Sequence, residues 1–440
     1  MQVKIKKFTK DGLGLTEGKA ILVPYTLEGE EVEITPPFKK KGMRFGEALQ
    51  ILQPSKERIT PFCPHFGVCG GCLTQHWDYK HELAWKETFV KELFKDFPHA
   101  KFLPILGAEK MERWRNKMEF SFAPSGEVGL YRFFGKRDIF DTYHCSLGPS
   151  WFQEALDAIR DWKDKYGVKP YDPIKNRGSL RHLTVRHGYR TDDRMLFLTV
   201  SDEPWTEEQL AAYKKIGEGF NAALFTIIQK VAPGQPTRYI EQHILGPKYL
   251  REKLTVSGKE LTFHISPRAF FQPNPLQAEK VYQQAFDLLE LQGDELLLDL
   301  FAGTGTLGLF AAPFVKKVIS IELSVDACQD ARVNRKNNGI ENLEILQGDV
   351  GKLLKKRAIP QPDALLVDPP RAGLTPDAIE AILHLQPEKV CYISCNPETQ
   401  SHDAAALSAG GYTLETIIPI DQFPRSPHVE NIALFKKKHL

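Results

Sequence analysis

From about residue 275 onward the chain repeats one pattern: a short apolar run, a turn residue or carboxylate, then a helical stretch. The runs are Leu296 to Phe301, Val318 to Glu322, Leu343 to Gln347, Ala364 to Val367 and Val390 to Ser394. Helical stretches such as Gly305 to Pro313 and Ser324 to Asn338 lie between them. Near-continuous apolar runs are strands covered on both faces, and their alternation with helices predicts a doubly wound parallel sheet, an α/β fold. Such sheets bind ligands beyond the carboxyl ends of their strands. Here every strand end carries a notable group: Asp299 to Gly305, Glu322, Asp349, Asp368 and Cys395. Packing alone gives no reason for five such groups on one rim, so the rim is the expected site.

The first of these ends, Asp299-Leu-Phe-Ala-Gly303-Thr-Gly305-Thr-Leu-Gly308, contains G-x-G-x-x-G between a strand and a helix. Glycines let the backbone approach a ligand, and Glu322, at the next strand end, is placed to accept hydrogen bonds from ribose hydroxyls. This predicts an adenosine site, for either NAD or S-adenosylmethionine. Asp299 favours the latter, whose ligand carries an ammonium group. Asp368-Pro369-Pro370-Arg371 follows an apolar strand, and its two prolines stop the sheet and stiffen the loop that holds Asp368. Phe270-Phe271-Gln272-Pro273-Asn274 offers aromatic surface and amides that match the edges of a uracil. Tyr392-Ile393-Ser394-Cys395-Asn396-Pro397 places a cysteine where a buried strand becomes a turn, as a nucleophile facing a cleft. Near the end, Pro427-His428-Val429-Glu430-Asn431 supplies Glu430, the best candidate for a general base.

The rest of the chain has other rhythms. Residues 1–55 carry short β-rich runs, with basic residues (Lys4, Lys6, Lys7, Lys10, Lys39, Lys40, Lys41, Arg44) and interleaved Phe8, Phe38 and Phe45. A small β-barrel of this kind suits single-stranded nucleic acid. Cys63, Cys69 and Cys72 follow, spaced C-x5-C-x2-C around Gly70 and Gly71, and Cys145 is the only other cysteine before the C-terminal part. Four thiolates suit an iron–sulfur cluster or zinc. Residues 56–270 otherwise read as amphipathic helices and strands, including a helix from Tyr79 to Phe97. Three domains result: 1–55, 56–270 and 271–440.

Lys and Arg total 58 against 56 Asp and Glu, so net charge selects no partner class. The opening Met1 to Lys7 lacks the apolar segment of a secretory leader, and no run approaches the roughly 18 apolar residues of a membrane span. A cytoplasmic protein with no membrane partner is expected. Its seven cysteines then argue for metal binding or catalysis rather than disulfides.

Together these motifs, in this order, resemble the RNA 5-methyluridine (uracil-C5) methyltransferase family over nearly the whole chain. The resemblance extends to members, such as bacterial 23S rRNA enzymes, with a TRAM domain and an iron–sulfur site. It implies a TRAM/OB-like N-terminal barrel, a central α+β domain and a Rossmann-like methyltransferase domain. It implies S-adenosylmethionine as donor and a [4Fe-4S] cluster held by Cys63, Cys69, Cys72 and Cys145. Cys395 matches the nucleophile and Glu430 the base, while Gln272, Phe301, Thr306, Glu322, Asp349 and Asp368 match positions lining the donor and base pocket, beside Gly303 and Gly305. The implied substrate is a uridine in RNA, 23S rRNA first and the T-loop of tRNA as the alternative, acted on by a monomer. The cluster, far along the chain from Cys395, is expected to be structural. An NAD-linked iron–sulfur oxidoreductase is the reading from another class; it leaves Cys395 and Asp368-Pro369-Pro370 without a task.

Overall fold

The structure is a computed structural model that describes residues 1–135, 138–231, 234–356 and 359–438. The C-terminal part is built on an eight-stranded sheet in the order 343–347, 317–322, 296–300, 364–367, 389–394, 430–437, 412–420, 101–102. The five strands anticipated from the apolar runs pair in parallel. Chain order reverses between Leu296–Leu300 and Ala364–Val367, and the cleft of such a sheet opens at that switch point. The sheet also recruits Lys101–Phe102, which pair with Thr416 and Ile417 at its far edge. The helix Tyr79–Leu93 packs Val90 into the same core. Residues upstream of 271 thus complete the C-terminal core.

The last two strands are antiparallel: Glu430–Lys437 lies between Lys389–Ser394 and Tyr412–Ile420. The helix Pro275–Leu289 precedes the sheet and starts where its residues dictate. Pro275 occupies the first turn, and the Asn274 side chain accepts the Gln277 N–H.

The central part is a seven-stranded sheet with the helices Trp151–Lys165 and Glu207–Gly219. Trp151, Leu156, Ile159 and Trp162 of the first helix share a core with Phe120, Leu183 and Leu196 of the sheet. The N-terminal module is one seven-stranded sheet around Ile5, Ile21, Val23, Val32 and Ile34. Its strands are short: Gln2–Phe8, Gly14–Thr16, Leu22–Val23, Glu31–Ile34, Phe38–Lys40, Met43–Phe45 and Ala48–Gln53. The turn at Gly12 rests against Pro427, and Lys10 pairs with Glu398 at 2.8 Å, so this module touches the C-terminal rim. The helix expected to reach Phe97 ends at Leu93, with Phe94 as its cap.

Candidate active site

The carboxyl ends of the parallel strands open into a cavity of about 1040 Å³. Gln272, Phe301, Gly303, Thr306, Glu322, Asp349, Asp368, Cys395 and Glu430 all line it. One wall is the turn after Leu296–Leu300. Phe301, at φ 63°, adopts a left-handed backbone that costs about 1–3 kcal/mol for a non-glycine residue. That turn directs the next amides toward Glu322, whose Oε2 accepts the Gly303 N–H at 2.9 Å while Oε1 accepts that of Ser324 at 2.7 Å. Two backbone donors therefore fix the carboxylate at the rim. Asp349 is held similarly, its Oδ1 accepting the Lys352 N–H.

Two residues of this motif lie elsewhere than expected. Asp299 does not line the cavity. It is fully buried, and its Oδ2 accepts from Ser320 Oγ at 2.8 Å and from the Gly308 N–H at 3.1 Å. It braces strand to helix through Oδ2, while Oδ1 has no hydrogen-bond partner. Gly308 must be glycine, because a Cβ there would lie 2.5 Å from Ser320 Oγ. Gly305 (φ 78°) also stands behind the wall, capping the helix Thr306–Ala311 and packing on Ala331.

The cavity is also lined by Cys395 and Glu430, the candidate nucleophile and base. Cys395 follows Lys389–Ser394, and the antiparallel register pairs Ser394 with Asn431. The next residue in each direction, Cys395 and Glu430, lines the cavity, and the Glu430 charge acts on the Cys395 thiol. The turn is braced from behind: Asn396 Nδ2 donates to Arg371 O at 2.9 Å, and Asn431 Nδ2 donates to Gln400 Oε1 at 2.6 Å. Burial pushes the Cys395 thiol up to about 12; the charges of Glu430 and Asp368 add to this and the Arg371 guanidinium opposes it. Burial likewise raises Asp368 to about 7, with Asp299 adding, and holds Glu430 well above the carboxylate range, with Asp368 adding and Arg371 opposing. The ligand-free site therefore rests with a protonated thiol. Far below the pKa each pH unit multiplies the thiolate fraction tenfold, so iodoacetamide labelling of Cys395 in the free protein should rise about tenfold per unit from about pH 7 to 10. Peptide mass spectrometry measures this, and a pH-independent rate would show a thiolate already formed.

Sequence reasoning missed several lining groups. Trp114 and Arg115 come from the central part, and Phe423 comes from the segment before Glu430, whose His428 appeared only as part of a motif. Arg371 appeared only as part of a motif, yet it is the cation acting on both Cys395 and Glu430. The proximity of these groups depends on pairing between distant segments, so no local signal marked them.

A second cavity, of about 540 Å³, is lined by Cys63, Cys69, Cys72 and Cys145. All four are free thiols. Burial raises Cys69 to about 11 and pushes Cys72 and Cys145 up as well. Among the described residues, no group of three or more His, Cys, Asp or Glu side chains is placed to hold a metal ion as it stands. Gly71, Arg115 and Leu147 line both cavities, so the cysteine loop, remote from Cys395 in sequence, shares a wall with the active-site cavity. Among the described residues no helix is long and apolar enough to cross a membrane.

Comparison with known proteins fits this geometry. The profile of the tRNA (Uracil-5-)-methyltransferase family matches residues 237–438, and that of the tRNA (uracil(54)-C(5))-methyltransferase TRAM domain matches residues 1–56. An RNA methyltransferase of Protochlamydia amoebophila is 40% identical over 94% of this chain and 99% of its own length. One from Staphylococcus epidermidis is 32% identical over 99% of this chain and 97% of its own. The fold matches the crystal structure of Pyrococcus abyssi tRNA (uracil-54, C5)-methyltransferase in complex with S-adenosyl-L-homocysteine, with a TM-score of 0.79 and 23% identity over 99% of this chain and 100% of that one. The chain belongs to the S-adenosylmethionine-dependent RNA (uracil-5-)-methyltransferase family with an N-terminal TRAM domain.

Proposed function

We propose that this enzyme methylates carbon 5 of one uridine in 23S ribosomal RNA, through a transient bond between Cys395 and carbon 6 of that uridine. The observation that supports this chemistry is that Cys395 and Glu430, each adjoining the strand pair Ser394 and Asn431, line one cavity. Carbon 5 of uracil is too weak a nucleophile to take a methyl group unaided. Addition of the Cys395 sulfur to carbon 6 makes carbon 5 enolate-like. S-adenosylmethionine supplies an electrophilic methyl group on its sulfonium. Glu430 then removes the carbon 5 proton, the electron pair restores the 5,6 double bond, and the Cys395–carbon 6 bond breaks to return the thiolate. The resting thiol must first lose its proton, and the Arg371 guanidinium beside it favours the anion. Gln272 and Asp368 orient the uracil or the donor, and Phe301, Gly303, Thr306, Glu322 and Asp349 hold the donor. The uridine must leave its stack to enter, as bases do for enzymes that act on base atoms.

The presence of both a TRAM module and four cysteines supports ribosomal RNA. The T-loop of tRNA is the second reading, supported by the tRNA names of both matching profiles. Mass mapping of 5-methyluridine in 23S rRNA and tRNA from cells with and without the gene decides between them. The proposal requires one 23S position to lose its methyl group; loss confined to tRNA would install the alternative.

We also propose that Cys63, Cys69, Cys72 and Cys145 carry a [4Fe-4S] cluster. Four soft donors line one cavity, and burial of Cys69, Cys72 and Cys145 disfavours their bare thiolates, which metal coordination would stabilise. The Arg115 guanidinium acts on Cys145 and Cys72 and would offset the cluster's negative charge. When bound, the cluster ties the loop 63–72 to residue 145. Protein purified without oxygen should contain about four irons and four sulfides and a broad visible absorption shoulder; zinc alone would sink this assignment.

A further inference from the structure

The segment Asp421 to His428 leads into Glu430, and Phe423, Pro424, Ser426 and His428 of it line the cavity. It forms no regular element apart from the strands on either side, so its path needs another cause. That cause is a buried charge cluster on the helix Tyr79–Leu93. Lys86 has a fully buried side chain. Its Nζ donates to Asp421 Oδ1 at 2.7 Å, to Glu82 Oε1 at 2.8 Å and to Phe423 O at 3.4 Å. Tyr79 OH donates to Asp421 Oδ2 at 2.8 Å. Arg425, at φ 70°, donates through its backbone N–H to Glu82 Oε1 at 2.9 Å and through Nη1 to Trp77 O at 2.8 Å. Two cations thus meet two carboxylates. Burial works against the Lys86 charge, but Asp421 and Glu82 outweigh it and hold the ammonium protonated.

The other side of the segment touches the substrate wall. Gln277 Nε2 donates to Asp421 O at 2.9 Å, Asn274 Nδ2 donates to Gln422 O at 3.1 Å, and Gln422 Nε2 donates to Gln272 Oε1 at 3.3 Å. Leu73 and Thr74, just after the cysteine loop, donate their backbone N–H groups to Arg425 O. An apolar contact could bury the same area, but it would not fix the segment's register. Charge-assisted bonds fix direction, and burying them is worthwhile only when all are made together.

We propose that Lys86 is a positioning residue for methyl transfer: through Asp421 and Phe423 it sets the segment that orients Gln272 and delivers Glu430. The proposal rests on the reading that this cavity takes uridine and that Gln272 acts on it, and it adds a residue that touches neither substrate nor donor. The test uses the full-length protein with Lys86→Met and, as a milder change in the same grip, Asp421→Asn. For each, kcat on RNA, the equilibrium affinity for S-adenosylmethionine and the rate of adduct formation with 5-fluorouridine-substituted RNA are measured. Fluorine at carbon 5 cannot leave as a proton does, so that adduct persists and reports addition and methylation alone. The expected result is a kcat lower by about 10–100-fold, slowed adduct formation, and donor affinity within about twofold of wild type. A general structural role would instead lower donor affinity along with kcat, and that outcome overturns the proposal. So does a folded Lys86→Met protein whose kcat stays within about twofold of wild type. If Lys86→Met does not fold, Asp421→Asn decides by the same criteria. A wild-type protein that puts no 5-methyluridine into RNA would defeat the functional reading instead.

Discussion

Replacing Cys395 with alanine should abolish methyl transfer to RNA, by a factor on the order of 10⁴ or more, while S-adenosylmethionine still binds. In the proposed mechanism the sulfur supplies the electron pair that makes carbon 5 nucleophilic. The substitution removes a half-buried side chain at a turn whose bracing comes from its neighbours: Asn396 to Arg371, Gln400 to Asn431, and Tyr392 OH to Asp403 Oδ2 at 2.7 Å. The fold should therefore survive. The donor wall at Phe301, Gly303 and Glu322 belongs to other strands and stays intact. Transfer of a radiolabelled methyl group, measured beside equilibrium donor binding, separates these effects. Methylation persisting within tenfold of wild type would rule out the covalent route.

The second large effect is of a different kind. Glu430→Gln keeps the shape of the side chain but removes the base. Addition and methylation should still occur, and release should not. The expected outcome is turnover lower by about 10²–10⁴-fold, together with an RNA–protein adduct that survives denaturing electrophoresis and carries the methyl group. Burial already holds Glu430 well above the ordinary carboxylate range. Raising the pH toward that value deprotonates the wild-type base and should speed product release. The Glu430→Gln variant has no such group and should show no corresponding rise. Asp368 sits in the same cavity and is the rival base. If Asp368→Asn trapped the adduct and Glu430→Gln did not, the assignment would move to Asp368.

Part of this site was legible along the chain. Glu322, Asp349, Asp368 and Cys395 follow apolar runs bounded by turn residues, and a strand end is a local property: periodicity and punctuation mark it. The misplacement of Asp299 has an equally simple reason. It is the fourth residue of a five-residue strand, not its end, and whether its carboxylate faces the rim or Ser320 depends on the neighbouring strand. The helix from Tyr79 stopped short of Phe97 because Phe94 already turns the chain, which the apolar spacing did not signal.

The sequence by itself determined the alternation of strands and helices, the order of the rim groups, the four cysteines and the family resemblance. All of these rest on residue type and short spacing. Tertiary structure decided what meets across the cavity. Glu430 and Cys395 line one cavity because Glu430–Lys437 inserts antiparallel beside Lys389–Ser394. Arg115 reaches two cavities at once because the central sheet packs against the C-terminal rim. Lys86 meets Asp421 across 335 residues because a helix upstream of the central sheet packs into the C-terminal core. Contacts of that range depend on burial and strand pairing between distant segments, and no periodicity in the chain encodes them.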